Sequence, residues 1–287
     1  MQIRLSVLTV LLVLLLLPAN PLTAGEPQRR VLMVGDSWAG QMWEQRTVRD
    51  TFAVNGRPDI VEEGAETAIG GTTAAGWAMP SSLQVITDEL AAYPSIDIVQ
   101  LTISGNDFLD GGWYVGISQP NLDAFLAQVT GDLQTFFDHT LAQRPNLEIV
   151  VSLYDYLNLT LGCPALFDDL GQPTPRQVNE GLVVLQTAVA DLVATYPRVR
   201  YVDHRGLMQF TFGFPGNGIS PGSIPRPGNL DLPSPAEAFD DCIHLNEAGY
   251  DTLAQNLWDS YYGFRFNGLF QDGYETGDTT AWSSTVP

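Results

Sequence analysis

Lysine is absent from the chain, and all 13 basic residues are arginine. Without an ε-amine, neither Schiff-base chemistry nor a Ser-Lys couple is available. Cysteine occurs twice and histidine three times among 287 residues. Two thiols are too few for a disulfide scaffold or a cysteine zinc site. The three histidines lack the helical pairing of a zinc protease, so neither a metal nor any other cofactor is implied. Positive charge is scarce as well: 33 acidic residues outnumber the arginines, for a formal charge of −20. Such a surface disfavours nucleic acid and anionic membranes as partners and favours solubility.

Long apolar runs are confined to the N-terminus. Residues 1–4 carry one positive charge, residues 5–17 are almost wholly apolar, and residues 18–24 are small or helix-breaking. This is the pattern of a secretory leader cut after Ala24, and its apolar core is short against the ~20 residues of a membrane span. Losing the leader with Arg4 takes the formal charge from −20 to −21. No later stretch has the length and apolarity of a membrane span, so an exported protein without an integral membrane segment is expected. In an oxidising compartment the default for Cys163 and Cys242 is to pair. The remaining residues suffice for one domain over 25–268, followed by a polar tail over 269–287. Asp272, Glu275 and Asp278 in that tail miss the ordered spacing of a calcium loop.

Between those ends, apolar runs alternate with helical stripes. Residues 31–34, 58–62, 96–103, 147–153 and 199–202 read as strands. Helices are expected from Ser37 to about Phe52, behind Ser81 and Ser82, behind Asn121, behind Thr174-Pro175 and behind Asn246. The stripe Val178, Leu182, Leu185, Val189 and Leu192 illustrates the spacing. Alternation of this kind predicts an α/β fold: one doubly wound domain with a five-stranded parallel sheet and helices on both faces. Residues 64–79 read as a loop. Residues 205–238, rich in Pro and Gly, fit no element and suggest a wall or lid over a site.

The first strand ends in Gly35-Asp36-Ser37-Trp38. A serine there stands at the carboxyl edge of the sheet, where ligands of open α/β sheets bind, with helix-start N–H groups around it. Ser37 is therefore the candidate nucleophile, and it needs a base. His139 lies on an amphipathic helix. His204 ends the fifth strand and competes. His244 follows Asp241 by three residues, so that the carboxylate can hold one ring nitrogen while the other faces the serine. Asp240 is one residue too early for that role. Donors for a developing oxyanion are the Ser37 N–H, the N–H of Gly70 or Gly71, and the Asn106 side chain after the third strand.

Taken in order, Gly35-Asp36-Ser37, the run Gly70-Gly71-Thr72-Thr73, Gly105-Asn106-Asp107 and Asp241-Cys242-Ile243-His244 resemble the motif blocks of the SGNH (GDSL-type) hydrolases. That resemblance implies a flavodoxin-like fold. It implies Ser37 as nucleophile, His244 as base and Asp241 as its orienter, with Ser37, Gly70 and Asn106 forming the oxyanion hole. Gly70 suits the family block better than Gly71. A Cys163–Cys242 disulfide would then clamp the turn that carries His244. Trp38 departs from the smaller residues common after the serine and bears on the shape of the acyl pocket. The implied activity is a secreted serine esterase for small-molecule, glycan or lipid esters. Trp38, Trp77 and Trp113 near the motif loops would suit a carbohydrate O-acetylesterase. A non-catalytic binding module that keeps the fold is the reading from another class.

Overall fold

The computed structural model describes residues 26–267. The expected leader over 1–24 and the tail with Asp272, Glu275 and Asp278 lie outside the described residues. Five parallel strands form one sheet: β1 (Gln28–Gly35), β2 (Ile60–Glu63), β3 (Ile98–Thr102), β4 (Glu148–Ser152) and β5 (Val199–Val202), in the order β2-β1-β3-β4-β5. The chain order reverses at β1 and β3, which makes their carboxyl ends the switch point where a crevice opens. The expected α/β sheet is present, each strand within two or three residues of its apolar run.

Burial explains why the run around Ile98 reads so plainly. All five residues of β3 are buried, as are Val31, Leu32, Met33 and Val34 of β1. A strand covered by helices on both faces has no polar side to alternate with. Each such aliphatic side chain contributes about 1.5–3 kcal/mol on leaving water.

The helices that cover the sheet are α1 (Ser37–Gln45), α2 (Thr47–Val54), α3 (Pro80–Ala92), α4 (Gln119–Ala142), α5 (Pro175–Val193) and α6 (Glu247–Leu257). The single helix expected through Phe52 is two, because Arg46 adopts a left-handed conformation with φ of 62°. That turn redirects the chain so that Phe52 can pack against Trp258, Tyr262 and Phe266. At α5 the side chain and backbone of Thr174 and Gln177 close a capping box, worth about 1 kcal/mol. Among the described residues, no helix is long and apolar enough to cross a membrane.

Residues 205–238 differ from expectation. They contain the short helix Leu207–Phe212, and polar side chains pin the whole segment. Buried Asp155 accepts from the N–H groups of Gly206 and Met208, both at 2.6 Å. Gln209 Nε2 donates to the carbonyls of Asn229, Leu232 and Pro233 at 2.9–3.1 Å. Such anchoring leaves no apolar period in the sequence.

Candidate active site

Ser37 is the first residue of α1, and Asp36 caps that helix by accepting from the Trp38 N–H at 3.0 Å. A helix-start N–H such as that of Ser37 has no intrahelical partner. The strand can end this abruptly because Gly35, at φ of 146°, lies against β3. A Cβ there would stand 1.8 Å from the Thr102 carbonyl oxygen. Ser37 lines the crevice at this switch point.

His244 reaches Ser37 from 207 residues away, its Nε2 lying 2.8 Å from Ser37 Oγ. Its Nδ1 lies 2.8 Å from Asp241 Oδ2. Asp241 is itself held, since its Oδ1 accepts from the N–H groups of Ile243 and His244 at 2.7 and 2.6 Å. Burial pushes the Asp241 pKa up, but the hydrogen bonds from His244 and from the two backbone groups outweigh it and leave the carboxylate below its ordinary value. An ionised acceptor on Nδ1 keeps a proton there and leaves the Nε2 lone pair facing the hydroxyl. The arrangement can draw a proton from Ser37.

Two links hold this turn in place. Cys163 and Cys242 form the expected disulfide, with Cα atoms 5.9 Å apart across a sequence separation of 79. Trp38 Nε1 donates to the Ile243 carbonyl at 3.1 Å. Since Trp38 follows Ser37 and Ile243 precedes His244, this one bond ties the two partners' neighbours together. Trp38 is thus a strut as well as a wall of the crevice.

The expected donors also converge. The backbone of residues 64–70 runs beside β1, with the Gly35 N–H bonded to Thr67 and the Ile69 N–H bonded to Gly35. This brings Gly70 against Ser37, where a Cβ would lie 3.7 Å from Ser37 Cβ, whereas a Cβ on Gly71 would meet nothing. Asn106 Nδ2 donates to the Thr72 carbonyl at 2.8 Å, and Asn106 lines the crevice beside Ser37. An amide has a second N–H to offer. Asp107 secures the same loop by accepting from the Ala74 N–H at 2.8 Å. Residues 64–79 are therefore less irregular than expected, with a short helix Ala74–Trp77 capped by Thr73.

The apolar walls of the crevice include Trp38, Phe108, Leu109, Leu157, Leu182 and Ile243. None of its lining residues comes from 205–238, which does not act as its wall. Nor do the three tryptophans form an aromatic platform. Trp38, Trp77 and Trp113 are 1, 4 and 7 % exposed, and Trp113 stacks flat on Phe108.

The other titratable groups take different parts. His204 is buried between Ser152 and Asn256, and burial followed by the nearby Arg226 charge lowers its pKa to about 3. His139 bonds Thr87 at 2.9 Å, far in sequence from every other motif. Asp36, beside the serine in sequence, is buried. Burial raises its pKa to about 7 against the opposing hydrogen bonds from Tyr154 and Trp38. Asp107 belongs to the Gly105-Asn106-Asp107 block, whereas Tyr154 lies in no motif block of the sequence.

A model of the GDSL-like Lipase/Acylhydrolase family matches residues 22–252. No curated protein matches the chain. Among solved structures, a gut microbial diltiazem-metabolizing enzyme is similar at 12% identity with a TM-score of 0.55, over 83% of this chain and 48% of that one. A structure provisionally assigned as a platelet activating factor from Streptococcus pneumonia is similar at 18% identity and a TM-score of 0.50, over 81% and 83%. A carbohydrate acetylesterase family member from Sinorhizobium meliloti is similar at 16% identity and a TM-score of 0.49, over 84% and 100%. Likenesses at these identities bear on the fold. The family match spans most of the sequence: the chain belongs to the GDSL-like Lipase/Acylhydrolase family, and ester hydrolysis is the chemistry that this membership supports.

Proposed function

We propose that the protein is an exported serine ester hydrolase that works through an acyl-enzyme on Ser37. The observation that carries this reading is the hydrogen-bonded run from Asp241 through His244 to Ser37, with 2.8 Å at both joints. Ser37 Oγ attacks the ester carbonyl while His244 Nε2 takes its proton, and the carbonyl π pair moves onto oxygen. Collapse of the tetrahedral species expels the alcohol, which leaves with the proton held on Nε2. Water then enters by the same route, and the acid is released from Ser37. The Ser37 N–H, the Gly70 N–H and Asn106 Nδ2 receive the developing oxyanion, each worth about 3–4 kcal/mol at the transition state.

The apolar crevice suits the acyl side of a simple carboxylic ester. The burial of Trp38, Trp77 and Trp113 removes the sugar-stacking reason for narrowing the substrate to acetylated carbohydrate. A binding module that merely kept the fold would have no use for an acid–base–hydroxyl run aligned at both joints. Export is supported by the leader pattern of residues 1–24 and by the disulfide, which suits an oxidising compartment.

The deciding experiment is hydrolysis of p-nitrophenyl esters from acetate to octanoate by the wild type and Ser37→Ala. The wild type is expected to turn over the shorter esters and the variant to lose about 10³-fold or more. Equal rates in the two proteins overturn the proposal.

A further inference from the structure

Three strand ends meet at the wall of the crevice in one hydrogen-bonded chain. Tyr154, just past β4, is 3 % exposed. Its hydroxyl accepts from the Gly105 N–H at 2.7 Å and donates to Asp36 Oδ2. Asp36 Oδ1 in turn accepts from the Trp38 N–H at 3.0 Å, and the Asp36 N–H donates to the Thr102 carbonyl at 3.0 Å. The chain therefore joins the nucleophile turn after β1 to the Asn106 turn after β3. The Tyr154 hydroxyl is thus engaged both as acceptor and as donor.

The Asn106 turn needs such a tie. Ser104 enters it with φ of 88°, a left-handed conformation that costs a non-glycine residue of the order of 1 kcal/mol or more. Gly105 follows because the tyrosine leaves no room: a Cβ there would stand 2.7 Å from Tyr154 Cζ and 2.9 Å from its oxygen. The ring is also fixed from the other side, edge-on to Trp38 with centroids 5.1 Å apart. Both hydrogen-bond partners of the Tyr154 hydroxyl, and the ring it meets edge-on, belong to residues adjoining Ser37 or Asn106, while Gln186 Nε2 holds the Tyr154 carbonyl at 3.0 Å.

We propose, resting on the esterase reading above, that Tyr154 is a positioning residue that sets the spacing between the Ser37 N–H and the Asn106 amide through its bonds to Asp36 and Gly105. It touches no reacting atom. Its effect on rate passes through the oxyanion donors, so it acts on the transition state and leaves ground-state binding alone.

Tyr154→Phe keeps the ring and removes both bonds. The expected result on p-nitrophenyl acetate is a kcat lower by about tenfold with KM within about twofold. Affinity for a short alkyl boronic acid, whose boron takes up Ser37 Oγ to form a tetrahedral adduct, should weaken by the same factor. In an Asn106→Ala background the same change should cost less than about twofold more, because its intermediary is gone. Gly105→Ala, which presses a methyl group onto the ring, should reproduce the kcat loss if Tyr154→Phe fails to fold.

A full tenfold effect of Tyr154→Phe on top of Asn106→Ala overturns the proposal, as does a change confined to KM or no change in kcat. If Ser37→Ala and Asn106→Ala both retain wild-type rates, the esterase reading itself fails and this proposal with it. If those two are slow while Tyr154→Phe is not, the positioning role alone is lost.

Discussion

His244 and His204 each stand within hydrogen-bond reach of a serine hydroxyl, at 2.8 Å from Ser37 and 2.9 Å from Ser152. Both lie near the carboxyl edge of the sheet, and both have an aspartate close by in sequence. The opposite ring nitrogen separates them. His244 Nδ1 meets the carboxylate of Asp241, which can only accept, so the proton sits on Nδ1 and Nε2 is free to act as a base. His204 Nδ1 meets Asn256 Nδ2, which can only donate, so the proton sits on Nε2 and is given to Ser152. Asp203 turns instead to Arg205. The same pair of residue types makes a proton acceptor in one place and a structural strut in the other.

The comparison breaks if the two histidines prove interchangeable. His244→Ala is expected to lower kcat/KM on p-nitrophenyl acetate by about 10³-fold or more, while His204→Ala keeps it within about threefold per folded molecule. The reverse pattern in steady-state rates would move the base to His204. Asp241→Asn is the sharper test, because it gives His244 the kind of neighbour His204 has. An amide N–H facing Nδ1 would drive the proton onto Nε2, and kcat should fall by roughly 10³–10⁴-fold with little change in melting temperature.

The two histidines also differ in how their backbone is held. His204 follows β5 by two residues, whereas the His244 turn carries Cys242 and its disulfide. Exchanging both cysteines for serine should cost about 2–4 kcal/mol in urea unfolding, an effect that reductant reproduces in the wild type. Unchanged unfolding under reductant would show that the clamp is dispensable.

The smallest effect concerns pH. His204, with a folded pKa of about 3, stays neutral while its unfolded counterpart protonates below about 6.5, so it takes stability away as the pH falls through that window. Asp36, Glu62 and Asp155 run the other way. Burial raises each to about 7, so the folded protein holds their protons while the unfolded chain releases them above about 4, and stability falls as the pH rises from 4 through 7. The wild type should therefore melt higher at pH 5.5 than at pH 8. His204→Gln should steepen that rise by up to about 1 kcal/mol between pH 6.5 and 5.5, read from melting curves across the range.

The legible part of this molecule is local. The strands announce themselves because two-sided burial writes continuous apolar runs, as in residues 31–34. Asp241 and His244 could be paired on paper because three residues span one tight turn. The break at Arg46 left no mark, since a left-handed arginine has no distinctive neighbour pattern. The segment 205–238 read as unstructured because Asp155, distant in sequence, and Gln209, within the segment, hold it through hydrogen bonds with no apolar period. Tryptophans beside motif loops suggested a sugar platform. Their burial shows that neighbouring a motif says nothing about which way a ring points.

By itself, the sequence determined the α/β alternation, the absence of amine chemistry and the acid–histidine couple, because each depends on composition or on residues a few positions apart. How the histidine reaches its serine was decided only by the tertiary structure: strand order and the Trp38, Cys163 and Cys242 ties bring residue 244 across 207 positions to residue 37.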